Sequence, residues 1–513
     1  MRPEAAMAGA EGDSVLRGGA WTTLSGFLPQ VYTLLISIAA ARVLGPDDFG
    51  RQSFIAFVGL TTHMVVSAGL GLALTRTVAE ALGRGEPGRA RGLVAWAFRV
   101  QVLGAVIGGG VLIAAGALGS TPEAAWIAAG VGTAIAAMQS VPNAALAGAH
   151  RFRSAAIIGL VTGAVTVPVI VAVLAAGGGI VGMFVVEAVA VTANLVWFGV
   201  VAGRLFRRIA PESVRAPELE RAAIRFAGLT TVTTLVTFVV WKRSEFFFLA
   251  HYSADSQIAL YSIAFAVVTA IGLLPERLAL VATPVFARLR GTSDTAAIRV
   301  GFGRLMRLLL LAMLPLVAGI VSVGPAFLEV IYGDDYADVG PVLVILAAGL
   351  PLSAVTVAST ALLAGLEDAR SPLVAGAGAA VVNVALAFAL IPGLDAIGAA
   401  LANVGGQLAA AAVVVPAVRA ANGIDWRWGP VVRGVVAAAA AGGAARAILE
   451  TVGGVPGIVL AVLAGVAVFT LLAALLRVLS PDDAAWADAT AGHLAGGRVG
   501  ALLRRAGGHG RAL

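Results

Sequence analysis

Residues 457–476 read GIVLAVLAGVAVFTLLAALL, twenty positions without a charge. At a rise of about 1.5 Å per residue, a helix of this length covers roughly 30 Å, the thickness of a bilayer's hydrocarbon core. Leu93–Leu118, Ile258–Leu274 and Leu373–Ile391 are runs of the same kind, with Arg99 the only charge among them. The rest of the chain follows suit. Of its 513 residues 59% are hydrophobic and 12% charged, and the mean hydropathy is +0.95. A soluble domain carries roughly 25% charged residues. The chain is therefore membrane domain throughout and not an anchored soluble enzyme.

Glycine is abundant, at 64 residues. Small residues let helices approach closely in lipid, where the backbone bonds internally in any case. There is no cysteine, which excludes disulfide and thiol chemistry. The formal charge of +7 reports cytoplasmic loops and not a nucleic-acid site.

Hydropathy places about fourteen spans, at approximately 17–43, 52–75, 93–118, 122–147, 154–176, 179–203, 224–250, 257–284, 303–324, 341–364, 372–391, 395–418, 431–449 and 455–477. Arginines crowd alternate connections, such as Arg84, Arg89 and Arg91, Arg204, Arg207 and Arg208, and Arg288 and Arg290. The intervening loops are acidic, with Asp47, Asp48, Asp255, Asp334, Asp335, Asp338 and Asp395. This bias sets both termini in the cytoplasm and makes the localisation the cell membrane.

The chain also repeats. NAALAGAHRFRSAAIIG from Asn143 matches TALLAGLEDARSPLVAG from Thr360 without a gap, so that Gly148, Arg153, Ser154 and Gly159 recur at Gly365, Arg370, Ser371 and Gly376. PDDFGRQSFIAF after the first span matches ADSQIALYSIAF after the seventh once one residue is inserted, with Asp47 meeting Asp255 and Gly50 meeting Ala259. A repeat of six spans preserves topology, which makes the halves parallel repeats able to rock about a shared axis. The fold class is thus an all-α membrane protein, two parallel six-helix lobes around a central cleft plus two C-terminal helices. The expected organisation is a flexible cytoplasmic N-terminus (1–16), an N-lobe (17–203), a cytoplasmic linker (204–223), a C-lobe (224–418), two more spans (431–477) and a cytoplasmic tail (478–513).

Four stretches together resemble the Wzx-like polysaccharide-export flippases of the MOP superfamily. They are ARVLGPDDFGRQSFI (41–55), ALYSIAFAV (259–267), VIYGDDYADVGPVLVIL (330–346) and NVALAFALIPGLDAIGAALANV (383–404), and they fall in the family's order. The resemblance implies transport of undecaprenyl-pyrophosphate-linked oligosaccharide. It implies membrane lipid, a polysaccharide polymerase and glycosyltransferases as partners. Peptidoglycan-precursor flippases and cation-coupled drug antiporters share the architecture.

An ionisable side chain at the bilayer centre costs at least about 2.5–3.5 kcal/mol, so each one marks a cavity, a partner or a snorkelling anchor. Lys242, Arg243 and Glu245 fall within one turn of span seven, with Lys242 and Glu245 three apart on one face. They are expected to form a cationic substrate site with Glu245 as ion-pair partner. Glu276 and Arg277 follow Pro275 in span eight, which is expected to kink there. Arg99 completes the candidate substrate-binding set. Glu187 in span six has no partner nearby in sequence and is the candidate for ion coupling, and His63 in span two reads as structural. No Walker run or His/Cys cluster occurs, so neither cofactor, metal nor enzymatic chemistry is expected.

Reporters fused after Gly85, Ala210 or Gly291 will score as cytoplasmic, and those after Asp48 or Asp335 as external. A cytoplasmic signal at Asp335 would break the span count.

Overall fold

The computed structural model describes residues 3–210, 212–234, 244–423 and 428–478. Among the described residues every regular element is helical. The first half holds α1 (Pro3–Gly83), α2 (Pro87–Ala117), α3 (Glu123–Gly148), α4 (Phe152–Ala175), α5 (Gly179–Ile209) and α6 (Pro217–Thr234). The second holds α7 (Glu245–Tyr252), α8 (Asp255–Gly291), α9 (Thr295–Tyr332), a 3-10 turn (Asp334–Tyr336), α10 (Val339–Ala348), α11 (Leu350–Gly365), α12 (Arg370–Asn422), α13 (Trp428–Val452) and α14 (Gly454–Leu475).

Ten helices are long and apolar enough to cross a membrane, with α10 and α11 counting as one, and the bent α1 makes eleven. The difference from about fourteen lies in how spans join. The 81 residues of α1 hold the first two expected spans, and the 53 of α12 hold the eleventh and twelfth. Expected span seven is divided between α6 and α7, with 235–243 outside the described residues. The surface helix expected near Ser480 also lies outside them.

Both joins are breaks with local causes. In α1 the backbone leaves helical geometry at Gly45 (φ 76°), which tolerates a positive φ that a Cβ would resist. Pro46, Asp47 and Asp48 then restart the helix, because proline lacks only an N–H that is orphaned there anyway and acids suit a helix N-terminus. In α12 the break is at Asp395 (φ 48°, ψ −128°), after Pro392 and Gly393. The two arms of α12 fold back on each other, since a side chain at Gly398 would strike the Leu390 carbonyl and one at Gly405 would strike Leu386. No break occurs at Pro275: α8 runs through it and through Pro284.

The chain packs as two compact units. One comprises 1–266, 331–338 and 380–406, and the other 267–330, 339–379 and 407–513. The first buries Leu74, Val78, Leu93, Val141 and Phe206 together. In the second, Val323 of α9 packs with Ala445 and Leu449 of α13 and Ile458 and Ala461 of α14. On α14, Val459, Leu463, Val466, Leu471 and Leu475 remain exposed, as a lipid-facing surface requires.

The repeat seen in sequence has a structural counterpart within each unit. Gly148 sits against the Thr75 carbonyl and Val78. Gly365, its partner in the repeat, sits against the Thr283 carbonyl and Phe286. Thr75 and Val78 stand in the first repeat where Thr283 and Phe286 stand in the second, by the same offset that pairs Asp47 with Asp255. The turns that follow also agree. His150 (φ 55°) and Glu367 (φ 63°) are both left-handed. Arg151 N–H donates to the Leu146 carbonyl at 2.8 Å, and Asp368 N–H to the Leu363 carbonyl at 2.9 Å. Two glycines in equivalent notches, followed by equivalent turns, are what parallel repeats produce.

Asp368 then starts α12. Its Oδ1 accepts from the Arg370 and Ser371 amides at 3.0 Å, and its Oδ2 accepts from Ser371 Oγ at 2.6 Å. These bonds, that of the Ser371 hydroxyl first, hold this loop carboxyl below its usual range. A depressed carboxyl stabilises the fold above its unfolded pKa and loses that contribution as pH falls through the folded value. Asp368→Ala will therefore lower stability in detergent at neutral pH and cease to differ from wild type once the pH falls below that lowered value. Gly148→Val and Gly365→Val will each lower thermal stability by about 1–3 kcal/mol, because the added atoms meet backbone. Gly376→Ala, with open space around it, will not.

Candidate functional site

The site is built on the first turn of α7. Glu245 opens that helix and has no solvent exposure. A carboxyl is favoured at a helix N-terminus by the exposed N–H groups and the helix dipole, which offsets part of its burial. Two amides complete the offset. Asn383 Nδ2 donates to Glu245 Oε1 at 2.7 Å, and Asn403 Nδ2 donates to the same oxygen at 2.8 Å. Ser244, just before the helix, donates from Oγ to Asn383 Oδ1 at 2.7 Å. The ring of Tyr261 on α8 packs beside this group, edge-on to Phe246. Asn383, Asn403 and Tyr261 are themselves buried.

The break at Asp395 makes this arrangement possible. Asn383 lies on the first arm of α12 and Asn403 on the second, and only because the arms fold back do both amides reach one oxygen. Gln257 Oε1 accepts from the Ala396 amide at 3.4 Å, close to the break. The result is one carboxyl held by neutral donors in dry surroundings. Each hydrogen bond to a charged group contributes about 1.5–3 kcal/mol, and a buried polar atom left unpaired costs about 1–3 kcal/mol. Glu245 Oε1 takes both amides, while its Oε2 is buried without a hydrogen-bond partner among the described residues.

Aromatic rings wall the site. Phe246 stacks on Phe57 of α1, with centroids 4.7 Å apart and planes at 19°. Tyr261 meets Phe246 edge-on at 5.3 Å.

The other expected residues are dispersed. Lys242 and Arg243 lie outside the described residues, so Glu245 is seen bonded to amides. Arg277 is exposed and Glu276 half-buried on α8, in the other compact unit. Arg99 is exposed on α2, and its Nε turns back to the Ala95 carbonyl at 3.3 Å. Glu187 is half-buried on α5. His63 belongs to a second polar group: its Nδ1 is 3.5 Å from Ser67 Oγ, which accepts from Gln101 Nε2 at 3.0 Å.

Sequence reasoning singled out Glu245 and missed its partners. Asn383 and Asn403 open and nearly close the stretch NVALAFALIPGLDAIGAALANV, and an intramembrane amide deserves the same question as an intramembrane charge: what does it bond?

Among the described residues no three His, Cys, Asp or Glu side chains gather as a metal site. A cavity of about 640 Å³ lies in the second unit, between α9, α13 and α14. Its only polar side chains are Ser322 and Thr470, and both hydroxyls bond carbonyls of their own helices at 2.7 Å. It offers nothing to a phosphate.

The fold has known counterparts. A multidrug resistance MATE family transporter of the MOP superfamily, in its inward-facing conformation, superposes with a TM-score of 0.67 at 17% identity, over 76% of this chain and 93% of that one. The lipid II flippase MurJ, in an inward closed conformation, gives 0.69 at 13% identity, over 88% and 98%. A MOP superfamily transporter from Pyrococcus furiosus gives 0.56 at 16% identity, over 79% and 94%. At these identities the likeness is one of fold. No curated protein matches the sequence. The family described as polysaccharide biosynthesis protein matches residues 39–341, more than half of the chain. The chain belongs to the polysaccharide biosynthesis protein family.

Proposed function

We propose that this protein is a flippase that carries undecaprenyl-pyrophosphate-linked oligosaccharide across the cytoplasmic membrane by alternating access, for polysaccharide biosynthesis. The family match over 39–341 carries this reading, because it ties a chain built of membrane helices to polysaccharide assembly. A lipid-linked glycan must change leaflets between assembly and polymerisation. That step needs a path through the bilayer and no covalent chemistry, so the protein acts as a carrier and not as an enzyme.

The pyrophosphate sets the physical problem. Its charge must be compensated where the dielectric is low and Coulomb attraction is stronger than in water. Lys242, Arg243, Arg277 and Arg99 are the cations assigned to it, the first two just before the Glu245 site in sequence. The prenyl tail stays in the bilayer. Glu245, with Asn383 and Asn403, is assigned the role of a proton-responsive group that ties α7 to both arms of α12. Glu187 is assigned an ion-coupling role on the N-terminal side. Both termini face the cytoplasm in this scheme, and a polymerase and glycosyltransferases are the partners that consume and supply cargo. The same fold serves lipid II and drug transport in other proteins, so cargo choice is the decisive test.

The assay is the appearance of lipid-linked glycan in the outer leaflet at matched protein levels, with lipid II and a cationic drug as competing cargoes. Transport of lipid II or drug in place of the glycan would overturn the reading. Arg277→Ala and the Lys242→Ala/Arg243→Ala pair will insert normally but lose transport roughly ten- to hundredfold, the worth of one charge-assisted hydrogen bond. Glu245→Gln keeps an oxygen for both asparagines, so it will fold while losing pH-dependent transport. Glu245→Ala, which strands two buried amides, will also lose stability in detergent. Glu245→Gln with an unchanged pH profile would reduce the carboxyl to a structural role.

A further inference from the structure

Within the first compact unit, the acidic-loop end joins residues of the first repeat to residues of the second through a set of polar contacts near helix ends. Arg51, in the turn that restarts α1, donates from Nε to Asp255 Oδ2 at 2.7 Å and from Nη1 to Asp48 Oδ1 at 3.2 Å. Asp255 is the first residue of α8. Gly50 lies so close to the Asp255 carbonyl that no side chain fits there. Arg42 donates from Nε to the Ile331 carbonyl at 2.6 Å, in the last turn of α9. The Tyr336 hydroxyl donates to the Ala41 carbonyl at 3.0 Å, in the last turn before the break at Gly45. The Tyr332 hydroxyl lies 3.2 Å from Ser37 Oγ.

Two of these contacts take carbonyls from the last turn of a helix, at Ile331 and Ala41. The last carbonyls and first amides of a helix have no partner inside it, so they bond to whatever is near, water included. The Arg42–Ile331 and Arg51–Asp255 contacts are exposed, and separating them at an aqueous surface exchanges protein partners for water. In the ion pair Arg51 is 44% exposed and Asp255 36%, and exposed pairs contribute little that cannot be recovered in water. The Glu245 network is the opposite case, since its members are buried and would be stranded. One end of this unit is therefore joined by releasable contacts, lying over a joint that is not.

We propose that Gly50, Arg51 and Asp255, with Arg42, form a releasable latch that shuts the acidic-loop end of the protein and must open once in each transport cycle. Asp255 is the repeat counterpart of Asp47, so the latch joins the start of α8 to the equivalent segment of α1. Gly50 sets its closeness and Arg51 its charge preference. The proposal rests on the flippase reading in placing this end outside and in supposing a cycle.

The native chain has no cysteine, which makes the test direct. Arg51→Cys/Asp255→Cys is bridged by a short bifunctional methanethiosulfonate, and glycan flipping is followed before bridging, after bridging and after reduction. Flipping is expected to cease on bridging and return with dithiothreitol, while each single variant is unaffected by the reagent. Unimpaired flipping by the bridged protein overturns the latch, as does failure of the pair to bridge. A second readout needs no cargo. A Phe57→Cys reporter lies behind the latch and is expected to react severalfold faster with an impermeant maleimide added outside when Arg51→Glu or Gly50→Leu is present. Arg51→Glu/Asp255→Arg is expected to return the rate toward that of the parent. Equal labelling in all four proteins overturns the latch. Loss of glycan flipping in the unmodified protein, with labelling that still follows the charge at position 51, would refute the cargo and leave the latch standing.

Discussion

Hydrocarbon offers no hydrogen-bond partner to a peptide group, and nearly every feature of this protein follows from that. An unpaired backbone N–H or carbonyl in lipid costs several kcal/mol, so the described residues resolve almost entirely into helices. The chain can leave helical geometry only where water or another group meets it. The breaks at Gly45 and Asp395 are of this kind, and each has a proline beside it that lacks the donor a helix would require. The orphaned groups at such ends then become useful. Tyr336 takes a carbonyl before one break, and Gln257 takes an amide after the other.

Side chains obey the same rule more strictly. A buried carboxyl is held at Glu245 by the start of α7 and by two asparagines that converge on one of its oxygens. The group formed by His63, Ser67 and Gln101 is looser, with a 3.5 Å contact at its centre. The contrast matters for dynamics. The Asn383 and Asn403 bonds tie α7 to both arms of α12, so these are expected to travel together, whereas the exposed pair of Arg51 and Asp255 comes and goes at little cost.

How far the sequence discloses this varies with the range of the interaction. Hydropathy is local, and every expected span within the described residues falls on a helix. The repeat is read from pairs such as Gly148 and Gly365, because a notch that admits no Cβ leaves the same letter twice. The joins are less legible: hydropathy divides α1 near Asp47 and α12 near Asp395, but the backbone leaves helical geometry for only one residue at each, Gly45 and Asp395. Pro275 invites a kink, yet α8 passes through it. Least legible is the site. Glu245 announces itself as a charge in an apolar run, but its partners lie well over a hundred residues away. They are neutral amides in a stretch that reads simply as two membrane spans.

That separation bears on how the protein is made. Chains enter the membrane in the order of synthesis, and α7 emerges long before Asn383 and Asn403 exist. A carboxyl in an apolar span is costly until its partners are present. For Glu245 that moment comes when α12 arrives and folds back at Asp395. Assembly of this region is thus post-translational in character even though the spans are delivered one by one. The turn at Asp395 acts as its timer, because until that turn forms the two amides cannot reach one oxygen.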